Sequence, residues 1–138
     1  MEFREATQDD LDYMADHSVS KGIQKACPEQ LDYTFTLEHE GKPLGVGGFR
    51  FVNATTAWCW VDLADGAHGR INTAYRTIKE WMDLFAEEHN IKRLQAYVEC
   101  DFDEAIRMVR HLGFERESIM KNFVGDKDAF MYVRIIWA

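Results

Sequence analysis

The sequence predicts one α/β (α+β) domain on a mixed central sheet with helices on both faces, and three observations carry that expectation. Residues 57–63, "AWCWVDL", and residues 94–100, "LQAYVEC", read as strands, and the longest amphipathic stretch of the chain runs between them. Strands joined by a crossover helix lie parallel, because a tight turn cannot connect parallel neighbours. The strand pairs on either side are joined by short glycine-bearing turns and so run antiparallel. A mixed sheet packed between helices is the economical way to bury these faces. A chain of 138 residues suits a single domain over residues 1–138.

The elements follow in order. "EFREA" opens as a short strand. In "TQDDLDYMADH", Thr7 stands as a helix N-cap and Asp10 as the acidic member of a capping box, with Leu11, Met14 and Ala15 as the apolar stripe. "SVSKGIQKACPEQ" fits a short second helix ended by Pro28. "DYTFTLEHE" alternates, with Tyr33, Phe35 and Leu37 on one face and Thr34, Thr36 and Glu38 on the other. Gly41 turns the chain into "PLGVGGFRFV", whose three glycines imply a bulge or the close approach of another backbone. "NATT" turns again into "AWCWVDLA", which sets Trp58, Trp60 and Asp62 opposite Cys59, Val61 and Leu63.

From about Arg70 to Asn90, the apolar residues Ile71, Ala74, Tyr75, Ile78, Trp81, Met82 and Phe85 recur at threes and fours, the helical period. "IKRLQAYVEC" puts Leu94, Ala96, Val98 and Cys100 on one strand face. A helix then starts near Asp103, with Asp101 as its expected N-cap, Glu104 in support and Gly113 in the left-handed position that ends it. "FERESIMKNFV" and "DAFMYVRIIW" close the chain as two strands joined at Gly125-Asp126-Lys127.

Composition excludes several classes. A formal net charge of −8 argues against nucleic acid or an anionic membrane as partner, since both call for a basic face. No apolar run reaches membrane-spanning length. "MEFREATQDD" lacks the apolar core of a signal peptide, so a cytoplasmic location is expected and the Asn53-Ala54-Thr55 sequon carries no weight. Cys27, Cys59 and Cys100 are an odd number without CxxC spacing, and the five histidines show no ligand spacing; neither a disulfide framework nor a metal site is expected.

The stretch "VDLADGAHGRINTAYRTIKEW" raises the functional question. A strand that turns directly into a helix presents unpartnered backbone N–H groups to an anion. Gly66 and Gly69 thin the turn, and His68 and Arg70 add donors; the alternative is a solvated first helical turn.

Five phrases, in this order and spacing, resemble the GNAT acetyltransferase superfamily across essentially the whole chain: "FREATQDDLDYMAD", "EHEGKPLGVGGF", "IKRLQAYVEC", "AIRMVRHLGFE" and "NFVGDKDAFMYVRI". The resemblance implies an N-acetyltransferase that takes its acetyl group from acetyl-CoA, bound where two parallel strands splay, and passes it to an amine. The pyrophosphate would sit on a turn of pattern Gln/Arg-x-x-Gly-x-Gly/Ala, whose place is taken here by Gly66 to Ile71. Gly69 fits the first glycine, Gly66 replaces Gln or Arg, and the branched Ile71 replaces the small final residue. Leu63, Ala64, His68, Gly69, Arg70 and Ile71 are therefore the expected cofactor-binding residues.

Asp62, Glu99 and Asp101 are the candidates for general base, with helix capping the alternative for Asp101 and solvent exposure that for Glu99. The family's Asn and Tyr in the late helix are replaced by Phe102 and Val109, so Tyr97 or Tyr132 would have to protonate the departing thiolate. The partner implied is a small-molecule or peptide amine. The sequence is also similar to short GNAT-like proteins of tailed phages, some of them virion or morphogenesis proteins. That branch implies the alternative of an inactive assembly component with virion or other protein partners, in the host cytoplasm or the virion.

Overall fold

The computed structural model describes residues 1–19 and 33–136, so the expected second helix, with Cys27 and Pro28, lies outside the described residues. The elements are β1 (Glu2–Glu5), α1 (Gln8–His17), β2 (Thr34–His39), β3 (Lys42–Asn53), β4 (Thr56–Leu63), a 3-10 turn (Asp65–Arg70), α2 (Ile71–Glu88), β5 (Arg93–Glu99), α3 (Asp103–His111), β6 (Glu115–Val124) and β7 (Lys127–Ile135). Among the described residues, seven strands form one sheet in the order β1-β2-β3-β4-β5-β7-β6. The expected parallel pair is present: Thr56, Ala57 and Trp58 lie beside Arg93, Leu94 and Gln95. β4 continues to Leu63 and β5 to Glu99 beyond those paired positions. The chain divides into two compact units, Met1–Arg50 with Cys59–Ile78 and Phe51–Trp58 with Lys79–Ala138.

In the first unit the capping box forms as the sequence implied. The Asp10 N–H donates to Thr7 Oγ1 (3.3 Å), and the Thr7 N–H donates to Asp10 Oδ2 (2.8 Å). Met14 is buried against Val46 and Ala64, with Leu11, Tyr13 and Trp60 packed around them, whereas Ala15 is exposed and does not join the stripe. β2 departs from the simple alternation. Leu37 is buried as expected, but so are Thr34 and Thr36 on the opposite face, and Thr36 Oγ1 donates to Asp10 Oδ2 at 2.8 Å. The polar face of this strand is covered, and the Asp10 carboxylate satisfies Thr36 there.

The β2–β3 turn places both Glu40 (φ 53°) and Gly41 (φ 80°) in the left-handed region, the conformation that lets a two-residue hairpin follow the strand twist. The glycines of β3 meet both expectations. Leu37 pairs with Gly45 and Glu38 with Pro43, so Leu44 is the extra residue of a bulge. A Cβ on Gly45 would stand 2.8 Å from the Asp62 carbonyl oxygen, and one on Gly47 2.7 Å from that of Trp60.

In the second unit Asn53 Oδ1 accepts from the Thr55 N–H at 3.0 Å, which makes the "NATT" turn. Leu94, Ala96 and Val98 are buried on one face of β5, as the alternation implied, while Cys100 lies just past the strand and is half-buried. Met82, Phe85 and Ala86 carry the burial of the second half of α2; Trp81 is only half-buried, at the flank of the stripe.

Asp101 does not cap α3. The Phe102 N–H donates to the Glu99 carbonyl (3.0 Å), closing a turn that moves the N-cap to Phe102, which has no side-chain cap bond. Asp101 is exposed and stands 3.9 Å from Lys127 Nζ. The helix ends as expected: Gly113 (φ 90°) donates to the Arg110 carbonyl and Phe114 to that of Val109, each at 3.0 Å, the paired bonds of a Schellman motif. β6 is a sheet-edge strand, exposed along almost its whole length.

Candidate functional site

The segment expected to hold a phosphate, residues 63–71, belongs to the first unit. β4 ends at Leu63, and Ala64 is fixed there by its N–H to the Leu44 carbonyl (2.8 Å). The end of α1 is tied to the same place. Ser18 forms a β-bridge with Ala64, the Val19 N–H donates to the Leu63 carbonyl at 2.9 Å, and Ser18 Oγ donates to Asp62 Oδ1 at 2.5 Å. Asp62, half-buried, is thus engaged in holding α1 against the strand end. Nothing in the spacing of the two residues, 44 positions apart, announced this bond.

The segment expected as an open turn is wound into the 3-10 helix Asp65–Arg70, and α2 begins at Ile71. Ala67 is buried and anchors the turn, while Gly66, His68, Gly69 and Arg70 are exposed and Ile71 is half-buried. Neither Gly66 nor Gly69 has a left-handed backbone. A Cβ on Gly69 would meet nothing within 4 Å, and one on Gly66 only Leu44 Cδ2 at 3.9 Å. The chain's own geometry therefore does not require glycine at either place; their effect is to leave the backbone of the turn open on its outer side.

Among the described residues, no hydrogen bond or ion pair engages the side chain of His68 or Arg70. Asp65 faces His17 Nδ1 at 3.9 Å instead. An exposed, unengaged guanidinium and imidazole beside a glycine-thinned helix start fit a phosphate-bearing group. Ile71, the first residue of α2, is half-buried beside them.

The remaining expected residues belong to the second unit. Tyr97 and Glu99 share one face of β5, the face opposite Leu94, Ala96 and Val98. Tyr97 is 43% exposed, and its ring lies against Trp58 (centroids 6.0 Å apart) and Phe123 (4.8 Å). The Glu99 side chain makes no hydrogen bond or ion pair among the described residues. Tyr132, the other hydroxyl considered, is buried within the sheet with its ring against Phe130, and Val109 is buried in α3. Phe123, which in the sequence is only part of a strand, lies with its ring against Tyr97, 26 positions away in the chain. No three His, Cys, Asp or Glu side chains gather as metal ligands among the described residues, and no described helix is long and apolar enough to cross a membrane.

Among the described residues, a mixed seven-stranded sheet in which a parallel strand pair flanks a crossover helix defines a class, and the superpositions name it: the chain has the GNAT α/β fold. It superposes on a GNAT-family acetyltransferase from Bacillus anthracis with a TM-score of 0.75 at 16% identity, covering 96% of this chain and 93% of that one. It superposes on the spermidine N-acetyltransferase SpeG of Vibrio cholerae (an F149A mutant) with a TM-score of 0.78 at 15% identity, covering 98% and 95%. The microcin C7 self-immunity acetyltransferase MccE, in complex with acetyl-CoA and AMP, aligns with a TM-score of 0.65 at 18% identity over 75% of this chain and 60% of its own. At these identities the likeness establishes the fold. No protein-family model and no curated protein matches the sequence. None of these three neighbours is a virion protein, and the resemblance to the phage branch gains nothing from them.

Proposed function

We propose that the protein is an N-acetyltransferase that uses acetyl-CoA to acetylate an amine on a small molecule or peptide. The observation that carries this reading is the end of β4: a strand that passes through a glycine-thinned turn into α2, with Arg70 and His68 unengaged, in a chain of GNAT fold. Acetyl-CoA, which one structural neighbour binds, supplies the acetyl group as an activated thioester. Arg70 and His68 hold its phosphates through charge-assisted hydrogen bonds. Leu63, Ala64, Gly69 and Ile71 line the strand end and the turn, with Gly69 leaving the backbone accessible. Glu99, whose carboxylate is unengaged, takes the proton from the amine, and the Tyr97 hydroxyl returns one to the departing thiolate. Asp62 is the weaker choice for base, because its carboxylate is committed to Ser18.

The test is release of free CoA thiol from acetyl-CoA in the presence of a panel of primary amines. The wild type is expected to turn over, and Glu99→Gln is expected to lower kcat by roughly a hundredfold or more, the usual range for a lost general base. No thiol release with any amine, together with no acetyl-CoA binding, overturns the reading.

A further inference from the structure

The second unit carries an aromatic row around Tyr97 whose rings, apart from the Tyr97 hydroxyl, have no part in the chemistry above. Trp58 on β4, Tyr97 on β5 and Phe123 near the end of β6 stand side by side across the sheet, Tyr97 meeting the other two edge-on at 6.0 and 4.8 Å. Tyr97 and Phe123 are 43% and 44% exposed, a large amount for rings that touch each other. A partly exposed aromatic ring attracts a cation that lies over its face within about 6 Å of the centroid. The neighbouring cation on this face, Arg93, is bound to Glu117 through two hydrogen bonds of 2.8 and 2.7 Å, so it does not occupy the rings. Two residues along the same face of β5 is Glu99, whose carboxylate is unengaged.

We infer that this row is the recognition site for a cationic amine, a short alkyl diamine or a longer polyamine, with one ammonium held against Tyr97 and Phe123 and the neighbouring nitrogen presented to Glu99. This deepens the acetyltransferase reading and rests on it for the role of Glu99. The spacing along the strand suits a short diamine. Two strand residues separate Tyr97 from Glu99 by roughly 7 Å, a distance that a short alkyl chain between two nitrogens spans. A net charge of −8 draws a polycation toward the protein. A neutral tail would gain only apolar contact from the same rings.

The experiment is calorimetric titration of the protein at low ionic strength with 1,4-diaminobutane and, separately, with butylamine, whose tail is uncharged, alongside a titration with acetyl-CoA. The diamine is expected to bind several-fold more tightly than butylamine. Phe123→Leu and Trp58→Leu are each expected to reduce that preference by roughly two- to fivefold, as the loss of a partly exposed cation–π contact does. Phe123→Trp is expected to keep it, and near-ultraviolet circular dichroism identifies any variant that fails to fold.

Equal binding of the two amines, or no binding of either, while acetyl-CoA binds, overturns the amine site and leaves the acetyltransferase reading intact. Ring-dependent diamine binding without acetyl-CoA binding upholds the site and removes the acetyltransferase. A dimer in sedimentation that Phe123→Leu dissolves assigns the row to a second copy of the chain and overturns the proposal.

Discussion

Arg4 forks onto Asp10: its Nη1 lies 2.7 Å from Oδ2 and its Nη2 2.9 Å from Oδ1. The same carboxylate accepts the Thr7 N–H of the capping box and the Thr36 hydroxyl, so one buried side chain joins β1, α1 and β2. Burial pushes the Asp10 carboxyl up, but the Arg4 guanidinium, then the Thr7 backbone N–H, then the hydroxyls of Thr36 and Thr7 pull it down further. The balance holds it well below the usual carboxylate range. The unfolded chain, with its Asp near 3.9, then binds a proton more readily than the folded one. Stability from this network is expected to be complete above about pH 5 and to fall progressively as the pH drops below 4. Denaturant melts at pH 7 and pH 3 check this. Asp10→Ala should cost about 2–4 kcal/mol at pH 7, a lost cap plus charge-assisted hydrogen bonds, and should flatten the acid dependence.

Gly45 and Gly47 sit where β3 runs close against the β4 backbone. A Cβ at either meets a carbonyl oxygen at 2.8 or 2.7 Å, and backbone cannot swing aside as a flexible side chain does. Gly45→Ala and Gly47→Ala should each destabilise by about 1–3 kcal/mol in urea melts, the range for overpacking. Gly69→Ala is the control: with open space around it and no left-handed backbone, it should leave stability unchanged or slightly raised.

At Gly113 the demand is conformational. Its φ of 90° allows the Schellman bonds that end α3, and a Cβ there would also stand 3.4 Å from Arg134 Nε. Gly113→Ala should cost about 1–2 kcal/mol in the same assay.

What the sequence disclosed was local. The Thr7–Asp10 box, the Gly113 cap and the helical period of 71–85 are written in residues a few positions apart, and each formed. The β4–β5 pairing followed from chain order alone. Asp101 misled because a cap depends on where the chain turns, and the Glu99–Phe102 bond moved that point by one residue. The alternation of β2 misled because Thr36 faces a carboxylate 26 positions away rather than water.

The candidate site divides in the same way. The residue types at 62–71 and 97–99 were legible, but which were already engaged was not. Ser18 takes Asp62, while Glu99, His68 and Arg70 are left unengaged among the described residues. The aromatic neighbours of Tyr97 come from strands on either side of it in chain order, so no window of sequence contains the row.

The measurement that tests the central claim most directly is titration with acetyl-CoA, for the wild type and Arg70→Ala, at low and high salt. The wild type should bind, and weaken with salt, because an exposed ionic contact is screened within about 10 Å at 0.1 M. Arg70→Ala should weaken binding roughly ten- to a hundredfold and flatten the salt dependence. Ile71→Gly should tighten it by opening the turn to a phosphate, despite a helix-propensity cost of about 1 kcal/mol. No heat with millimolar acetyl-CoA, and none restored by Ile71→Gly, would contradict the account and leave the turn a structural feature of the fold.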